Sequence, residues 1–399
     1  MSDIDLRPSV ARAALGALVD VDDDTAAVTA YARALWSTLT EPGDGVAGAL
    51  VATFGAVRAL EIAVGDSSAE APAAQAGLSS AALSAGRARW QPRRGDHRQA
   101  LDTARRAGVR LITPEDAAWP VRLTDLGAHA PLCLWTLGDI AQLAPKVAVA
   151  LVGARAASAY GEHVATDLAA ECASSGIAVF SGAAYGIDGA AHRGALSVRG
   201  STIAVLAGGV ERPYPAGHRD LIDRVARQGV VVAEVPCGSS PTKWRFLGRN
   251  RLIAALSDAT VVVEAGWRSG ALNTAHHAAE LGRPLGAVPG AVTSATSAGC
   301  HRLLRELDAV CITGPADVRE MLGAGDVEQF DGALFDARDY TGERSRILDA
   351  LTSRSARSTV DVARRSGFSV ADAAALLGLL ELEGTVTRWG EGWRRGPGE

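Results

Sequence analysis

Several common signatures are missing from this sequence of 399 residues. Its five cysteines form no CxxC pair, so reduced thiols are expected, rather than a disulfide framework or a structural metal site. No run of 18 apolar residues occurs, and the first ten residues lack a basic start followed by an apolar stretch. We therefore predict a cytoplasmic protein with no membrane span and no signal peptide.

Aromatic residues and lysine are also scarce. Aromatics make up 5% of the chain, so Ala, Val and Leu must form the large core that a hydrophobic content of 48% allows. Lys146 and Lys243 stand against 38 arginines, a bias that we ascribe mostly to genome composition. A net charge of -5 does not attract DNA. Any nucleic-acid role must therefore depend on a local basic patch.

Four segments differ in pattern, and the length itself predicts two or three domains. Residues 1–105 have helical apolar spacing and predict a small domain of the sterile-alpha-motif or helix-hairpin-helix type. Residues 106–321 alternate apolar runs with helical stretches, which predicts an α/β domain with a Rossmann-like, doubly wound, mainly parallel sheet. A polar Gly/Asp-rich linker, 322–342, follows. Residues 343–399 predict three helices and a hairpin, the outline of a winged helix.

The local patterns behind these predictions are explicit. Helical spacing in the first domain is clearest in residues 27–39 and 46–62. The apolar runs that predict strands are 109–112, 131–137, 147–152, 177–180, 202–206, 230–235, 260–263 and 284–288.

The first chemical cluster, residues 153–161, follows a strand and precedes a helix. Its small residues, beginning with Gly153, would present backbone N–H groups to an anion at a helix N-terminus. Arg155 adds a planar cation suited to phosphate, and Ser158 adds a hydroxyl. The spacing matches neither the dinucleotide fingerprint nor the P-loop. A plain strand-to-helix turn with an incidental arginine explains this cluster equally well.

The second cluster begins with Ser181 and Gly182, again at a strand end before a helix. Asp188 could cap that helix, and His192 lies four residues later on the same face. An Asp/His pair could perform acid–base chemistry, but it is more often a structural hydrogen bond. We assign both residues to the scaffold.

The third cluster combines cations with aromatic rings. Its residues are Lys243, Trp244, Arg245, Phe246, Arg249, Asn250 and Arg251. Phosphates need cations and unstacked bases need flat faces, so this combination indicates single-stranded nucleic acid. The alternative is a solvated loop that enters a helix, with both rings in the core. Because all the charges are positive, we favour binding.

The fourth cluster, residues 264–274, would present Ser269 and Gly270 at another helix start, although one more tight turn explains it equally well. A further small-residue loop, Pro289 and Gly290, follows the next strand. Several Gly-rich loops at one sheet edge could form a composite phosphate-binding cleft.

These clusters, in this order, resemble the DprA family of DNA-processing proteins, also called Smf. The matching stretches are 153–161, 181–192, Tyr214-Pro215, 246–253, 264–275 and 288–290. The positions that depart from the family pattern are Ala154, His218, Leu247-Gly248 and Cys300-His301. None of these departures removes a cation, so we expect DNA binding to be retained. The resemblance covers roughly residues 110–315 strongly, and the terminal regions more loosely.

The resemblance implies a function without catalytic residues, metal or cofactor. Such proteins bind single-stranded DNA in the Rossmann-like cleft, protect incoming DNA in transformation, load the recombinase RecA and dimerise through the same domain. Arg155, Lys243 and Arg245 would neutralise phosphates, Phe246 would stack on a base, and Arg251 would either contact DNA or brace the fold. The full predicted set is Gly153, Arg155, Ser158, Ser181, Gly182, Lys243, Arg245, Phe246, Arg249, Asn250, Arg251, Ser269 and Gly270.

Two other functions compete with this interpretation. The Gly-rich pattern also resembles the nucleotide phosphoribohydrolases, whose catalytic glutamate closes a P-G-G-x-G-T-x-x-E motif. Here His277 occupies the corresponding position after Thr274, and Glu280 arrives too late. A transcription regulator would read duplex DNA with its winged helix. Residues 343–399 hold nine arginines and eight acids, and this near neutrality disfavours duplex binding through phosphates.

Overall fold

The computed structural model describes residues 4–65, 67–95, 97–323, 342–353 and 355–396. The chain divides into two compact units, Met1–Gly325 and Asp326–Glu399. The predicted helical and Rossmann-like segments therefore share one compact unit. Residues 324–341 of the predicted linker lie outside the described residues.

The first unit begins with helices that pack around tryptophan. They are α1 (Pro8–Leu15), α2 (Asp24–Leu39), α3 (Gly45–Val64), α4 (Glu70–Gln75), α5 (Ser80–Trp90) and α6 (His97–Arg106). The rings of Trp36 and Trp90 meet edge to face, 5.2 Å between centroids. Asp44 caps α3 by accepting from the backbone N–H of Ala47 and also accepts from the Trp90 indole, 2.9 Å away. The helical spacing predicted for this region is confirmed by α2 and α3.

Helix α3 is long and apolar enough to cross a membrane by length and composition alone. A core helix of a globular domain meets the same criterion. Non-helical dihedrals at Gly55 interrupt α3, and the indole of Trp36 donates to the carbonyl of Ala56 beside that kink. Leu50 and Leu60 are fully buried in the helical core. Much of α3 thus packs against protein in this structure.

Behind these helices lies a nine-stranded sheet in the order β1-β2-β6-β5-β4-β3-β7-β8-β9. Its strands are β1 (Arg110–Ile112), β2 (Leu134–Gly138), β3 (Ala148–Gly153), β4 (Ala178–Ser181), β5 (Thr202–Leu206), β6 (Val230–Ala233), β7 (Ala259–Glu264), β8 (Leu285–Ala287) and β9 (Val310–Cys311). Strands β3 to β9 pair in parallel, whereas β1 with β2 and β2 with β6 are antiparallel. The predicted mainly parallel sheet is confirmed, and only the exposed two-residue β9 was not predicted.

The strand order reverses between β3 and β7, and this reversal positions the site. From β3 the chain builds outward through β4, β5 and β6, and then returns to place β7 on the other side of β3. In doubly wound sheets the loops beyond such a point diverge and leave a crevice at the carboxyl ends of the strands. The first and fourth clusters follow β3 and β7, so they border this crevice.

Helices cover both faces of the sheet. They are α7 (Ala159–Ser174), α8 (Ile187–Ser197), α9 (Arg219–Gln228), α10 (Lys243–Leu256), α11 (Ala271–Glu280), α12 (Ala298–Glu306) and α13 (Pro315–Met321). The central strands are buried on both faces, which explains their continuous apolar runs. Four of the five cysteines are buried in these cores, and all five are free thiols. Burial raises the pKa of Cys172 to about 11 and that of Cys300 to about 12.

Ion pairs attach the N-terminal helices to the sheet. Arg33 pairs with Glu115 at 2.6 Å and also donates to the carbonyl of Leu132. At the other end of α2, Glu41 pairs with Arg93 and with Arg245 of α10. Burial alone would raise the pKa of Glu41, but the two arginines hold it below its usual value.

The second unit has its own small core. Its helices are Glu343–Asp349, Thr359–Ser366 and Val370–Leu382, followed by a hairpin of β10 (Val386–Trp389) and β11 (Gly392–Arg395). This order confirms the predicted winged helix. Arg364 and Arg365 are exposed, but both pair with Asp361, at 2.5 and 3.2 Å. Their charges are therefore partly neutralised within the helix.

Candidate nucleic-acid interface

A cleft of about 890 Å³ opens at the point where the strand order reverses. The loops after β3 and β7 and the first turns of α10 form its walls. Of the described residues that line the cleft, four carry cationic side chains and only Asp188 carries a carboxyl group. The cationic residues are Arg155, Lys243, Arg249 and Arg268. The cleft therefore attracts anions although the whole chain is acidic.

An arginine stacked on an aromatic ring dominates the upper part of the cleft. The guanidinium of Arg155 lies over the ring of Phe246, 4.5 Å from its centroid. The ring of Tyr214 lies nearby, tilted by 52° with its centroid 5.8 Å from that of Phe246. Such stacking fixes a planar cation while leaving its N–H groups free for phosphate.

Helix α10 brings Lys243 and Phe246 to this wall. Thr242 caps the helix by accepting from the backbone N–H of Arg245, so the cationic run begins at the cleft. Lys243 is exposed, whereas Arg249 and Asn250 lie one to two turns deeper and are buried. One helix thus supplies both an exposed cation and the buried polar wall beneath it.

Arg249 is a buried cation at the bottom of the cleft. It is 5% exposed, and one N–H donates to the carbonyl of Val205. Burial lowers its pKa to about 10, while the charge of Asp188 acts in the opposite direction. Burial raises the pKa of Asp188, which Arg249 and the backbone N–H of Ala184 offset in part. Gly182 passes so close to the guanidinium that a Cβ there would overlap it.

Asn250 braces the wall of the cleft that is formed by the loop after β7. Its amide donates to the carbonyl of Gly270 at 3.3 Å and to the side chain of Asn273 at 3.2 Å. The hydroxyl of Ser269 accepts from the backbone N–H of Ala271 at 3.3 Å and so ends the loop. Asn250 therefore joins α10 to the loop after β7.

Two predicted hydroxyls are used inside the protein. Ser158 donates its hydroxyl to Glu264 at 2.8 Å and its backbone N–H to the same carboxylate. Glu264 is 2% exposed and also accepts from Thr296. Ser181 is fully buried and donates to the carbonyl of Leu151. Glu264 thus ties together three loops, a role that its place in the fourth cluster did not reveal.

Two predicted cations point away from the cleft. Arg245 pairs with Glu41 of the N-terminal helices, and Arg251 pairs with Glu234 at 2.7 Å, with both side chains of that second pair largely buried. Of the predicted set, the residues that line the cleft are Gly153, Arg155, Lys243, Phe246, Arg249, Asn250, Ser269 and Gly270. Those that do not line it are Ser158, Ser181, Gly182, Arg245 and Arg251.

Two cleft residues whose side chains suit DNA contact, Tyr214 and Arg268, are absent from the predicted set. Arg268 lines the cleft beside Ser269, and its signal was a cation inside the fourth cluster. Tyr214 also lines it, and its signal was the Tyr-Pro motif. His192, assigned to the scaffold, is fully buried with Nδ1 2.8 Å from the hydroxyl of Thr202. That contact ties α8 to β5.

Fold and site together define a class of protein in which a Rossmann-like unit with a cationic cleft is followed in the chain by a winged helix. Residues 110–323 match the family model for DNA recombination-mediator protein A, and residues 335–392 match the model for the DprA winged helix domain. The chain belongs to the DNA recombination-mediator protein A family, whose members are named DprA or Smf.

Relatives agree with this assignment over most of the chain. A DNA processing protein DprA of Mycobacterium tuberculosis is 48% identical over 312 residues, which cover 74% of this chain and 79% of the relative. The Bacillus subtilis DNA processing protein DprA is 33% identical over 57% of this chain and 76% of its own. A crystal structure of DprA from Streptococcus pneumoniae superposes with a TM-score of 0.59 and 29% identity, covering 73% of this chain and 97% of the other.

Proposed function

We propose that this protein binds single-stranded DNA in the cleft and acts in DNA processing during recombination and transformation. The observation that carries the proposal is the cleft itself, in which four cations face one carboxyl group around the stacked pair of Arg155 and Phe246. Cations beside flat rings are what single-stranded nucleic acid requires.

Each lining residue has a role that its surroundings support. Arg155, Lys243 and Arg268 are exposed and suit phosphate contacts, because cations that neutralise phosphates release the counterions condensed on the strand. Phe246 offers a ring for a base. Arg249 and Asn250 are buried, so they hold the walls and supply a positive floor.

The remaining predicted residues support the site from outside the cleft. Ser158, Ser181 and Gly182 fix the loops, and Arg245 and Arg251 fix α10 against its neighbours through carboxylates. We therefore propose that these five residues position the site and do not contact DNA themselves.

We expect a preference for single strands because Phe246 lies inside the cleft and not on the outer surface. Phe246 lies within the cleft and is only partly exposed. A base must leave a stacked duplex to reach it, which costs a few kcal/mol. An already unstacked strand avoids that cost.

Hydrolysis of a nucleotide is the competing function of this fold. Asp188 is the only carboxylic acid among the described lining residues, and the buried carboxyl faces Arg249 and backbone N–H groups. Such a carboxylate is poorly placed to attack or to activate water. Incubation with nucleoside monophosphates should release no free base, and release at enzymatic rates would restore the hydrolase interpretation.

The partners of the protein are inferred from its membership of the family. We infer a homodimer formed through the first unit, delivery of the bound strand to a RecA-type recombinase, and a cytoplasmic location. Light scattering should give twice the chain mass. Strand exchange by RecA on DNA coated with a single-strand-binding protein should quicken when this protein is added. A monomer, or no change in rate, would remove the corresponding partner.

Fluorescence anisotropy with a labelled oligonucleotide tests the proposal. The native chain should bind single strand in preference to duplex, with affinity that falls steeply as salt rises. Arg155→Ala/Lys243→Ala should weaken binding and lower the slope of log K against log salt by about 2.

The matched control removes the same number of positive charges from a surface outside the cleft. Arg224→Ala/Arg227→Ala removes two exposed arginines of α9, outside the cleft. It should bind nearly as the native chain does. Equal loss in both double variants would mean that net charge, not the cleft, drives binding. No single-strand binding by the native chain at low salt would overturn the proposal.

A further inference from the structure

Exposed aromatic rings in the first unit are concentrated at the edge of the sheet where the parallel strands end. Among its described residues, the aromatic side chains that are strongly exposed are Tyr160, Tyr185, Tyr214, Trp244 and Trp267. Each lies in the segment that follows one of the five strands β3 to β7, at their carboxyl ends. Other large rings of this unit, such as Trp36, Trp90, Trp135 and Phe180, are buried.

The two tryptophans are the most exposed rings of this group. Trp244 is 69% exposed and Trp267 is 60% exposed. Leaving such large apolar surfaces in water costs stability, and a sequence with 5% aromatics has few rings to spare. Aromatic rings beside a cationic groove are the arrangement on which unstacked bases of a single strand stack.

Neither tryptophan lines the cleft itself, but each is adjacent in sequence to residues that do, on two different walls. Trp244 directly follows Lys243, which lines the wall made by α10. Trp267 lies between Gly266 and Arg268, both of which line the wall made by the loop after β7.

Cations accompany both rings. Lys243 is next to Trp244, and the guanidinium of Arg302 lies 5.3 Å from the centre of the Trp267 ring. Arg268, which follows Trp267, is exposed. Within the described residues the indole of Trp244 makes no side-chain hydrogen bond or ring contact, and most of its surface is exposed.

We infer that Trp244 and Trp267 are base-stacking residues on either side of the cleft, which extend the DNA site beyond the base held at Phe246. This inference rests on the proposed function and adds the path of the strand. Rings that alternate with cations bind a backbone and its unstacked bases together, with little regard for sequence. The site then takes at least three bases, one at each ring.

A series of oligothymidylates of increasing length tests the path. Native affinity should rise as the oligonucleotide grows from one that fills only the cleft to one that reaches both tryptophans. Trp244→Ala and Trp267→Ala should each lose roughly fivefold to a hundredfold in affinity for the longer oligonucleotides. Affinity for the shortest should stay native, and Trp→Phe variants should recover most of the loss because they keep a flat face.

Trp389→Ala is the matched control, since Trp389 is a 61% exposed tryptophan in the second unit and also lies beside an arginine. It should bind as the native chain does at every length. An equal loss in all three variants would overturn the inference, because it would show a general effect of removing exposed tryptophan.

Tryptophan fluorescence provides a second readout that does not depend on the measured affinity. Saturating oligonucleotide should quench tryptophan emission, and Trp244→Phe/Trp267→Phe should abolish most of that quenching. If the native chain binds and Arg155→Ala weakens binding, yet both Trp→Ala variants bind native-like at all lengths, the path is wrong while the cleft stands. If the native chain does not bind single strands, the proposed function itself fails.

Discussion

At the scale of single residues, burial gives different roles to arginines that the sequence alone does not distinguish. Arg155 is exposed and stacks on Phe246, so its N–H groups remain accessible to solvent. Arg249 is buried, spends a donor on Val205 and balances Asp188. A buried charge of this kind is tolerated only with such partners. The same residue type is therefore available to a ligand in one case and supports the floor of the cleft in the other.

His192 shows the same effect of burial on titration. Complete burial lowers its pKa to about 3, far below the usual histidine value, with nearby positive groups adding to the shift. The native state therefore holds His192 neutral, whereas the unfolded chain takes up a proton below about pH 6.5. Stability must fall as the pH drops from 6.5 towards 3, because the unfolded state binds the extra proton.

Replacing His192 removes this contribution. Between pH 7 and pH 5, His192→Asn should lose about 2 kcal/mol less unfolding free energy than the native chain. Urea unfolding at the two pH values measures the difference, and using the difference cancels the carboxylates common to both proteins. His163→Asn replaces an exposed histidine and should follow the native chain. Equal pH dependence in all three proteins would show that His192 is protonated in the fold.

At the scale of elements, the loops after β3 and β4 are held by close backbone approach. Gly186 has a φ of 72°, a region that favours glycine. A Cβ on Gly186 would overlap the carbonyl oxygen of Ala154 and lie 2.6 Å from that of Arg155. The backbone position of Arg155 thus depends on a glycine in the next loop.

Gly186→Ala should therefore affect both stability and binding. Gly176 has a comparable φ of 77° but has no atom within 4 Å of its Cβ position, so Gly176→Ala isolates the dihedral cost of about 1–2 kcal/mol. Gly186→Ala should lose about 2 kcal/mol more than that control in urea unfolding. It should also weaken single-strand binding, which Gly176→Ala should leave unchanged. Matching losses in the two variants would mean that the loop yields without cost.

Most elements were predictable because their patterns are strong. The strands of the sheet core are continuous apolar runs, and the runs at 147–152 and 202–206 coincide closely with β3 and β5. Strand β9 was not predictable, since both of its residues are exposed and it pairs only with β8. Edge strands carry little apolar signal of their own.

The candidate site was predictable only as a set of loops. Small residues after strands indicated the cleft, and it lies where β3 and β7 diverge. The partner of each side chain was not predictable, because Glu41 is 204 positions from Arg245 and Glu264 is 106 from Ser158. Long-range partners of this kind decide which polar residues remain for a ligand.

At the scale of the whole molecule, a chain of net charge -5 carries a local cationic cleft. The first unit holds this cleft, while the second is a separate compact unit with its own core. In the second unit, Asp361 pairs with Arg364 and Arg365. We therefore expect the single-strand site in the first unit, with the winged helix available for another contact.

The most direct test of this claim is photo-crosslinking of the full chain to a halogenated single-stranded oligonucleotide, with the attached peptides identified by mass spectrometry. We expect crosslinks to peptides that contain Arg155, Phe246 or Arg268, and their loss when unlabelled single strand competes. Crosslinks confined to residues 343–396, or to helices away from the cleft, would contradict it.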